Sequence, residues 1–136
     1  MCAGLRLQWP RVAKKILIVE DDATNAIVLH DYLAAHGYEM AVARDGEEGV
    51  QKFRELHPDL VILDLLLPKM NGFEVCFDLR ADTTHGDTPI LLMSAVGREV
   101  YAEAYAEADK FTQGYLRKPF SMATLAERVA ELVGAA

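Results

Sequence analysis

Residues 60–64 read Leu-Val-Ile-Leu-Asp: four apolar side chains in succession, then an acid. A half-exposed strand would alternate polar and apolar residues, so an uninterrupted run of this length points to a strand buried on both faces. The same design recurs at Ile16 to Val19, which runs into Glu20-Asp21-Asp22, and at Ile90 to Met93, which ends in Ser94. Gly114 to Arg117 is strand-like and leads into Lys118-Pro119, and Tyr38 to Ala43 alternates weakly as a further short strand.

Helices fill the intervals. Asp22 is placed to cap one that carries Ala26, Leu29 and Leu33 on a single face, and Gly37 stops it. Asp45-Gly46-Glu47-Glu48 is a capping-box pattern opening a helix with Phe53 and Leu56, and Pro58 bars its continuation. A third helix is predicted from about Gly72 to Arg80, followed by the turn-rich ADTTHGDTP, and a fourth from Arg98 to Ala108. Ser121 caps the last, which buries Leu125, Val129 and Leu132. Five strands alternating with five helices predict parallel pairing through right-handed crossovers, hence a doubly wound three-layer α/β sandwich. In such folds the site lies at the carboxyl ends of the strands. That rule gathers Glu20, Asp21, Asp22, Asp64, Ser94 and Lys118 at one edge.

The chain's 136 residues fit one domain over 14–134, with 1–13 (MCAGLRLQWPRVA) as a flexible N-terminal extension. Hydrophobic residues at 51% and charged residues at 26% lie within ordinary globular usage and far from the disordered range. Asp and Glu outnumber Lys and Arg by 21 to 14, and the net charge of -7 argues against direct nucleic-acid binding and for a cation as small partner. Cys2 and Cys76 fall in no CxxC or Cys/His spacing and read as free thiols of a reducing cytoplasm. His30, His36, His57 and His85 have no metal-ligand spacing and read as surface residues. No apolar run reaches the roughly 18 residues of a membrane span, so a soluble, cytoplasmic protein without a membrane partner is expected.

Carboxylates gathered at one sheet edge repel one another unless a cation sits among them. Oxygen ligands without Cys or His point to Mg²⁺, which binds through one or two carboxylates plus phosphate. Phosphoryl transfer needs positioning and charge neutralisation: Asp64 serves as nucleophile, Lys118 as partner of a phosphate oxygen, and Ser94 as a hydroxyl donor to another. Each residue also has an ordinary structural use. Asp22 taken alone is better explained as a helix cap, a lysine before proline as a surface residue, and a serine ending a strand as a partner for backbone groups. Their appearance together at the ends of strands one, three, four and five makes coincidence a poor account.

ILIVEDD, VILDLLLPKMNG, ILLMSA and YLRKPF, in that order, resemble the motifs of the receiver domain of two-component response regulators, and the likeness runs from about Lys14 to Val133. The resemblance implies a flavodoxin-like sheet in order 2-1-3-4-5, as in chemotaxis regulators. It implies Asp64 as phosphoacceptor, Asp21 and Asp64 as direct Mg²⁺ ligands, Glu20 acting nearby through water, and the Leu66 backbone carbonyl as a further ligand. Ser94 becomes the switch hydroxyl, Lys118 the phosphate-binding lysine, and Tyr115 the aromatic residue that turns inward when Ser94 moves; the Lys118-Pro119 bond is expected to be cis. The implied partners are a sensor histidine kinase or histidine phosphotransfer protein, and a downstream protein meeting the fourth helix, fifth strand and fifth helix, with a homodimer on that surface left open. On this reading the domain assists its own Mg²⁺-dependent phosphorylation and slow dephosphorylation, and is otherwise no enzyme.

Two features depart from the family's pattern. Phe111-Thr112 stands where the family commonly has Gly-Ala, so the fourth helix should end without a glycine-like stop, or be partly mobile. Leu66 and Val96, which flank the attacking water in this family, are both apolar and should give a long-lived phosphoaspartate. Tyr101 and Tyr105, one turn apart, suit a docking surface, with packing against the sheet the better role for at least one. A receiver-like interaction module working without phosphorylation is the alternative function. An aspartyl-phosphate hydrolase would show DxDxT, but Asp64 is followed by three leucines, and a flavin phosphate would be repelled by Glu20-Asp21-Asp22. No output domain follows Val133, so the chain either docks to a partner or is cut from a longer protein.

Overall fold

A computed structural model describes residues 13–67, 71–82, 84 and 86–134. The expected extension (apart from Ala13), and with it Cys2, lies outside the described residues, as do Pro68-Lys69-Met70 and His85. Strands β1 (Lys15–Val19), β2 (Glu39–Ala43), β3 (Leu60–Asp64), β4 (Ile90–Ser94) and β5 (Gly114–Arg117) alternate with helices α1 (Ala23–Ala35), α2 (Gly46–Leu56), α3 (Gly72–Arg80), α4 (Ala102–Ala108) and α5 (Met122–Val133). All pairings are parallel, in the order β2-β1-β3-β4-β5 that the resemblance implies.

Side-chain parity splits the core into two layers. Leu17, Val19, Val61, Leu63 and Leu92 face α2, α3 and α4 through Phe53, Val75, Leu79 and Tyr105. Ile16, Ile18, Leu60, Ile62, Leu91 and Met93 face α1 and α5 through Leu29, Leu33, Leu125 and Val129. Covered on both sides, β3 and β4 need apolar residues at every position, which is why their sequences do not alternate.

The expected caps form. Asp22, Asp45 and Ser121 accept from the backbone N–H of Asn25, Glu48 and Thr124. The return bond of the Asp45 box goes one residue further back, Glu48 Oε1 accepting from Arg44 N at 2.6 Å. Asn71 caps α3, and Gly72 sits against the end of β3: a Cβ there would stand 2.4 Å from Leu65 Cα and 2.6 Å from the Asp64 carbonyl oxygen. Gly72→Ala should therefore push the start of α3 off the segment that follows Asp64, costing about 2–3 kcal/mol. A urea midpoint lowered at constant slope would register this, and a cost under about 0.5 kcal/mol would mean that the contact yields freely.

β1 starts one residue early, at Lys15, and two further boundaries differ from expectation. Tyr38 precedes β2 as a buried ring whose hydroxyl donates to the Gly134 carbonyl at 2.9 Å. The fourth helix begins at Ala102 rather than Arg98, because Gly97 to Val100 close a turn (Val100 N to Gly97 O, 3.1 Å) and Tyr101 supplies no side-chain cap. Its other end lacks a glycine-like stop, as expected. Phe111 N bonds Ala108 O at 2.8 Å, and among the described residues His57 alone has positive φ without being glycine. Arg80 takes the glycine's place by another route. Its guanidinium donates to the carbonyls of Phe111 (2.7 Å), Gly86 (2.7 Å) and Thr88 (2.6 Å) and to Gln113 Oε1 (3.0 Å), tying the end of α3 to the segment before β5.

Candidate phosphoacceptor site

Register carries the site residues to one edge. Val19 pairs with Leu63, Asp64 with Met93 and Ser94 with Arg117, so the ends of β1, β3, β4 and β5 lie side by side. Carboxylate oxygens of Glu20, Asp21 and Asp64 fall within 4.8 Å of one another. Glu20 is 1% and Asp64 5% exposed, whereas Asp21 faces solvent with its backbone carbonyl held by Arg44 Nη2 at 2.6 Å. Lys118 reaches in after β5, its Nζ 2.7 Å from Glu20 Oε1 and 2.8 Å from Asp64 Oδ2, and its bond to Pro119 is cis as the resemblance implies. The other Asp64 oxygen accepts from Leu66 N at 3.0 Å. Three hard oxygen donors at this spacing, without Cys or His, fit a small divalent cation.

One ammonium between two buried carboxylates leaves the acids under-compensated. Burial first, and then the hydrogen bond to Asp64, push the Glu20 carboxyl up to about 7, with Lys118 pulling the other way. For Lys118, burial disfavours the charge, but bonds to Asp64 and Glu20 overcome it and hold the ammonium above its ordinary value. It stays charged wherever the domain would work.

Because the folded-state value of Glu20 is raised from 4.5 to about 7, folding takes up a proton that the unfolded chain releases. The stability this contributes is complete below pH 4.5 and lost as the pH rises through about 7. In chelator, the wild type should lose on the order of 1–3 kcal/mol relative to Glu20→Gln between those limits. Parallel urea-stability profiles for the two proteins would contradict this.

Ser94 is 1% exposed, and its Oγ accepts from Val96 N at 3.0 Å. The Val96 carbonyl in turn accepts from the hydroxyls of Tyr115 (3.2 Å) and Tyr105 (3.3 Å). Tyr115 is half-buried against the α2–α4 core layer, its ring edge-on to Tyr105 at 5.4 Å. Burial pushes the Tyr105 hydroxyl up to about 12. Sequence reading missed the parts played by Arg44, Arg98 and Tyr105 at or near the site, and that of Arg80 at the opposite edge of the sheet. Of these, only Tyr105 left a signal, its spacing from Tyr101: Tyr105 is buried, while Tyr101 is 47% exposed. Asp22 caps α1 and is not in the carboxylate cluster.

A parallel sheet in this order, with acids after β1, an aspartate ending β3, a hydroxyl ending β4 and a lysine after β5, defines a phosphate-handling signalling fold. The model of the response regulator receiver domain matches residues 16–130, and the chain belongs to that family, the receivers of two-component signalling. The DNA-binding response regulator MtrA of Mycobacterium tuberculosis is 40% identical over 116 residues, 85% of this chain and 49% of that protein. The probable transcriptional regulator ycf27 of Cyanophora paradoxa is 37% identical over 120 residues, 88% of this chain and 48% of that protein. The chain thus spans about half the length of these curated relatives. Among solved structures, the receiver domain of a Pseudomonas aeruginosa sensor histidine kinase, with a magnesium ion coordinated in its active-site cleft, superposes with TM-score 0.82 at 27% identity, covering 91% of this chain and all of that one. The Vibrio cholerae chemotaxis protein CheY4 gives TM-score 0.81 at 27% identity over 89% of this chain and 99% of that one. No described helix is long and apolar enough to cross a membrane.

Proposed function

We propose that Asp64 accepts a phosphoryl group from a sensor histidine kinase or histidine phosphotransfer protein, and that the resulting charge shifts the domain between two conformations read by a protein partner. The observation that carries this reading is Lys118 bridging Glu20 and Asp64 at the buried sheet edge. An Asp64 oxygen forms the bond to phosphorus as the donor's phosphorus–ligand bond breaks, and Lys118 turns from the carboxylate to a phosphate oxygen. Glu20, Asp21, Asp64 and the Leu66 carbonyl would hold Mg²⁺, which supplies charge neutralisation for the incoming phosphate. Phosphorylation adds roughly -1.5 to -2 charges, and Ser94 would leave Val96 N to donate to a phosphate oxygen. Tyr115 follows that loop, and α4, β5 and α5 would present the change to a downstream protein or to a second copy of the chain.

The test is intact mass after incubation with a small acyl-phosphate donor, with and without Mg²⁺. One phosphate adduct that needs Mg²⁺ supports the reading, and no adduct would favour an interaction module that works without phosphorylation. Leu66 is 47% exposed and Val96 half-buried beside the site, so both present apolar surface where hydrolytic water must approach. The adduct of a Leu66→Asn, Val96→Glu double variant should decay several-fold faster than that of the wild type. Equal decay rates would remove these residues from the control of signal lifetime.

A further inference from the structure

Arg98 lies four residues beyond Ser94, in the turn before α4, and its guanidinium faces both tyrosines, 4.7 Å from the Tyr105 ring centroid and 5.3 Å from that of Tyr115. The same group forms an ion pair with Asp109 at the far end of α4. Tyr105 is itself wedged edge-on against Phe73 of α3, its centroid 5.3 Å away, and is 1% exposed, so it cannot move without opening the core. Tyr115 is less constrained. It is half-buried, and what holds its ring inward is the hydroxyl bond to the Val96 carbonyl, the edge of Tyr105 and the Arg98 guanidinium. An outward swing of Tyr115 must break all three.

We infer that Arg98, anchored by Asp109 and working with the fixed ring of Tyr105, is a positioning residue that clasps Tyr115 inward, so that the Ser94 loop acts on Tyr115 against a restraint. Its link to signalling rests on reading Ser94 and Tyr115 as the switch pair; its effect on Tyr115 does not. The Val96 carbonyl serves both hydroxyls, and Val96 N is held by Ser94 Oγ. Rotation of Ser94 toward a phosphate releases Val96 N and leaves the Val96 carbonyl to the inward Tyr115 hydroxyl, so that a bound phosphate and the inward ring favour each other. Arg98, held at the other end by Asp109, sets how readily Tyr115 responds.

The test uses the full chain labelled with 3-fluorotyrosine and read by fluorine NMR, with Tyr115→Phe assigning the resonance. Without any phosphate analogue, Arg98→Gln and Asp109→Asn should each shift the inward-to-outward ratio of Tyr115 toward outward, by about two- to thirty-fold for Arg98→Gln. Arg98→Lys, which keeps the ion pair but not the planar stacking surface, should fall between. The Arg98 and Asp109 side chains are 40% and 50% exposed, so the variants are expected to fold, and circular dichroism would verify it. A Tyr115 resonance unmoved in Arg98→Gln and in Asp109→Asn overturns the clasp. Beryllofluoride with Mg²⁺ is then titrated as the phosphate analogue: its affinity should fall by the factor by which the inward fraction falls. A clasp seen in the first arm with no beryllofluoride binding by the wild type would leave the positioning role standing and sink the phosphoacceptor reading instead. An outward shift with unchanged beryllofluoride affinity would overturn the coupling to the switch.

Discussion

Asp64→Asn is expected to abolish phosphoryl acceptance and, in the same protein, to raise the stability of the metal-free domain. An amide offers no carboxylate oxygen to form an acyl phosphate, so the intact-mass adduct should vanish. The stability gain follows from charge. Glu20 and Asp64 are both buried and share one ammonium. Asparagine is nearly isosteric, keeps one acceptor oxygen for Leu66 N while Lys118 turns to Glu20, and removes one of the two negative charges. Repulsion by Asp64 is among the causes that hold Glu20 up at about 7, so its carboxyl should titrate lower in the variant and pair with Lys118 alone. A gain of about 1–2 kcal/mol at pH 7.5 in chelator is expected. Mg²⁺ should add less to the variant's stability than to the wild type's. A persisting adduct would place the phosphoacceptor elsewhere, and an unchanged urea midpoint would mean that the site is not electrostatically strained.

Lys118→Met should act in the opposite direction. It removes the ammonium that bonds both buried carboxylates, and truncating one partner of such a cluster leaves charge uncompensated. The penalty has a ceiling, because a carboxyl can take up a proton instead. At pH 7.5, protonating a group whose ordinary value is 4.5 costs about 4 kcal/mol, so a loss of about 2–4 kcal/mol in chelator is expected. It should shrink toward pH 5, where protonation is cheap, and on adding Mg²⁺, which replaces the missing positive charge. The rate of phosphorylation should not recover with the cation. Loss of a charged donor aimed at the transferring group typically costs 10²–10³-fold, so the adduct should form roughly that much more slowly at saturating Mg²⁺. The double variant Asp64→Asn, Lys118→Met should be more stable than Lys118→Met alone, and the departure from additivity measures the pair. Additive effects, or a phosphorylation rate within about threefold of the wild type, would show that Lys118 is a bystander.

The sheet was legible because two-sided burial imposes a pattern that no other local environment does: Leu60 to Leu63 and Ile90 to Met93 have no polar residue to turn toward water. Their polar terminators were legible for the same reason, since Asp64 and Ser94 end runs that nothing else interrupts. The Asp22, Asp45 and Ser121 caps were legible because a cap is a contact between residues three apart. The fourth helix was misread at its start because its residues favour helix while Gly97 to Val100 close a turn instead. Arg80, one more basic residue at a helix end in the sequence, turned out to hold four groups that lie 6 to 33 residues away.

By itself, then, the sequence determined the order of elements, the edge at which the chemistry gathers and the identity of Glu20, Asp21, Asp64, Ser94 and Lys118 there, because each depends on a local pattern or on a rule of parallel topology. Only the tertiary structure decided that Glu20 and Asp64 share one ammonium, that the Glu20 carboxyl is pushed up to about 7, and that Arg98 and Asp109 enclose Tyr105 and Tyr115. Those facts depend on how deeply side chains from separate elements are buried and on the distances between their charges. Both quantities arise only when the layers pack, and spacing along the chain does not encode them.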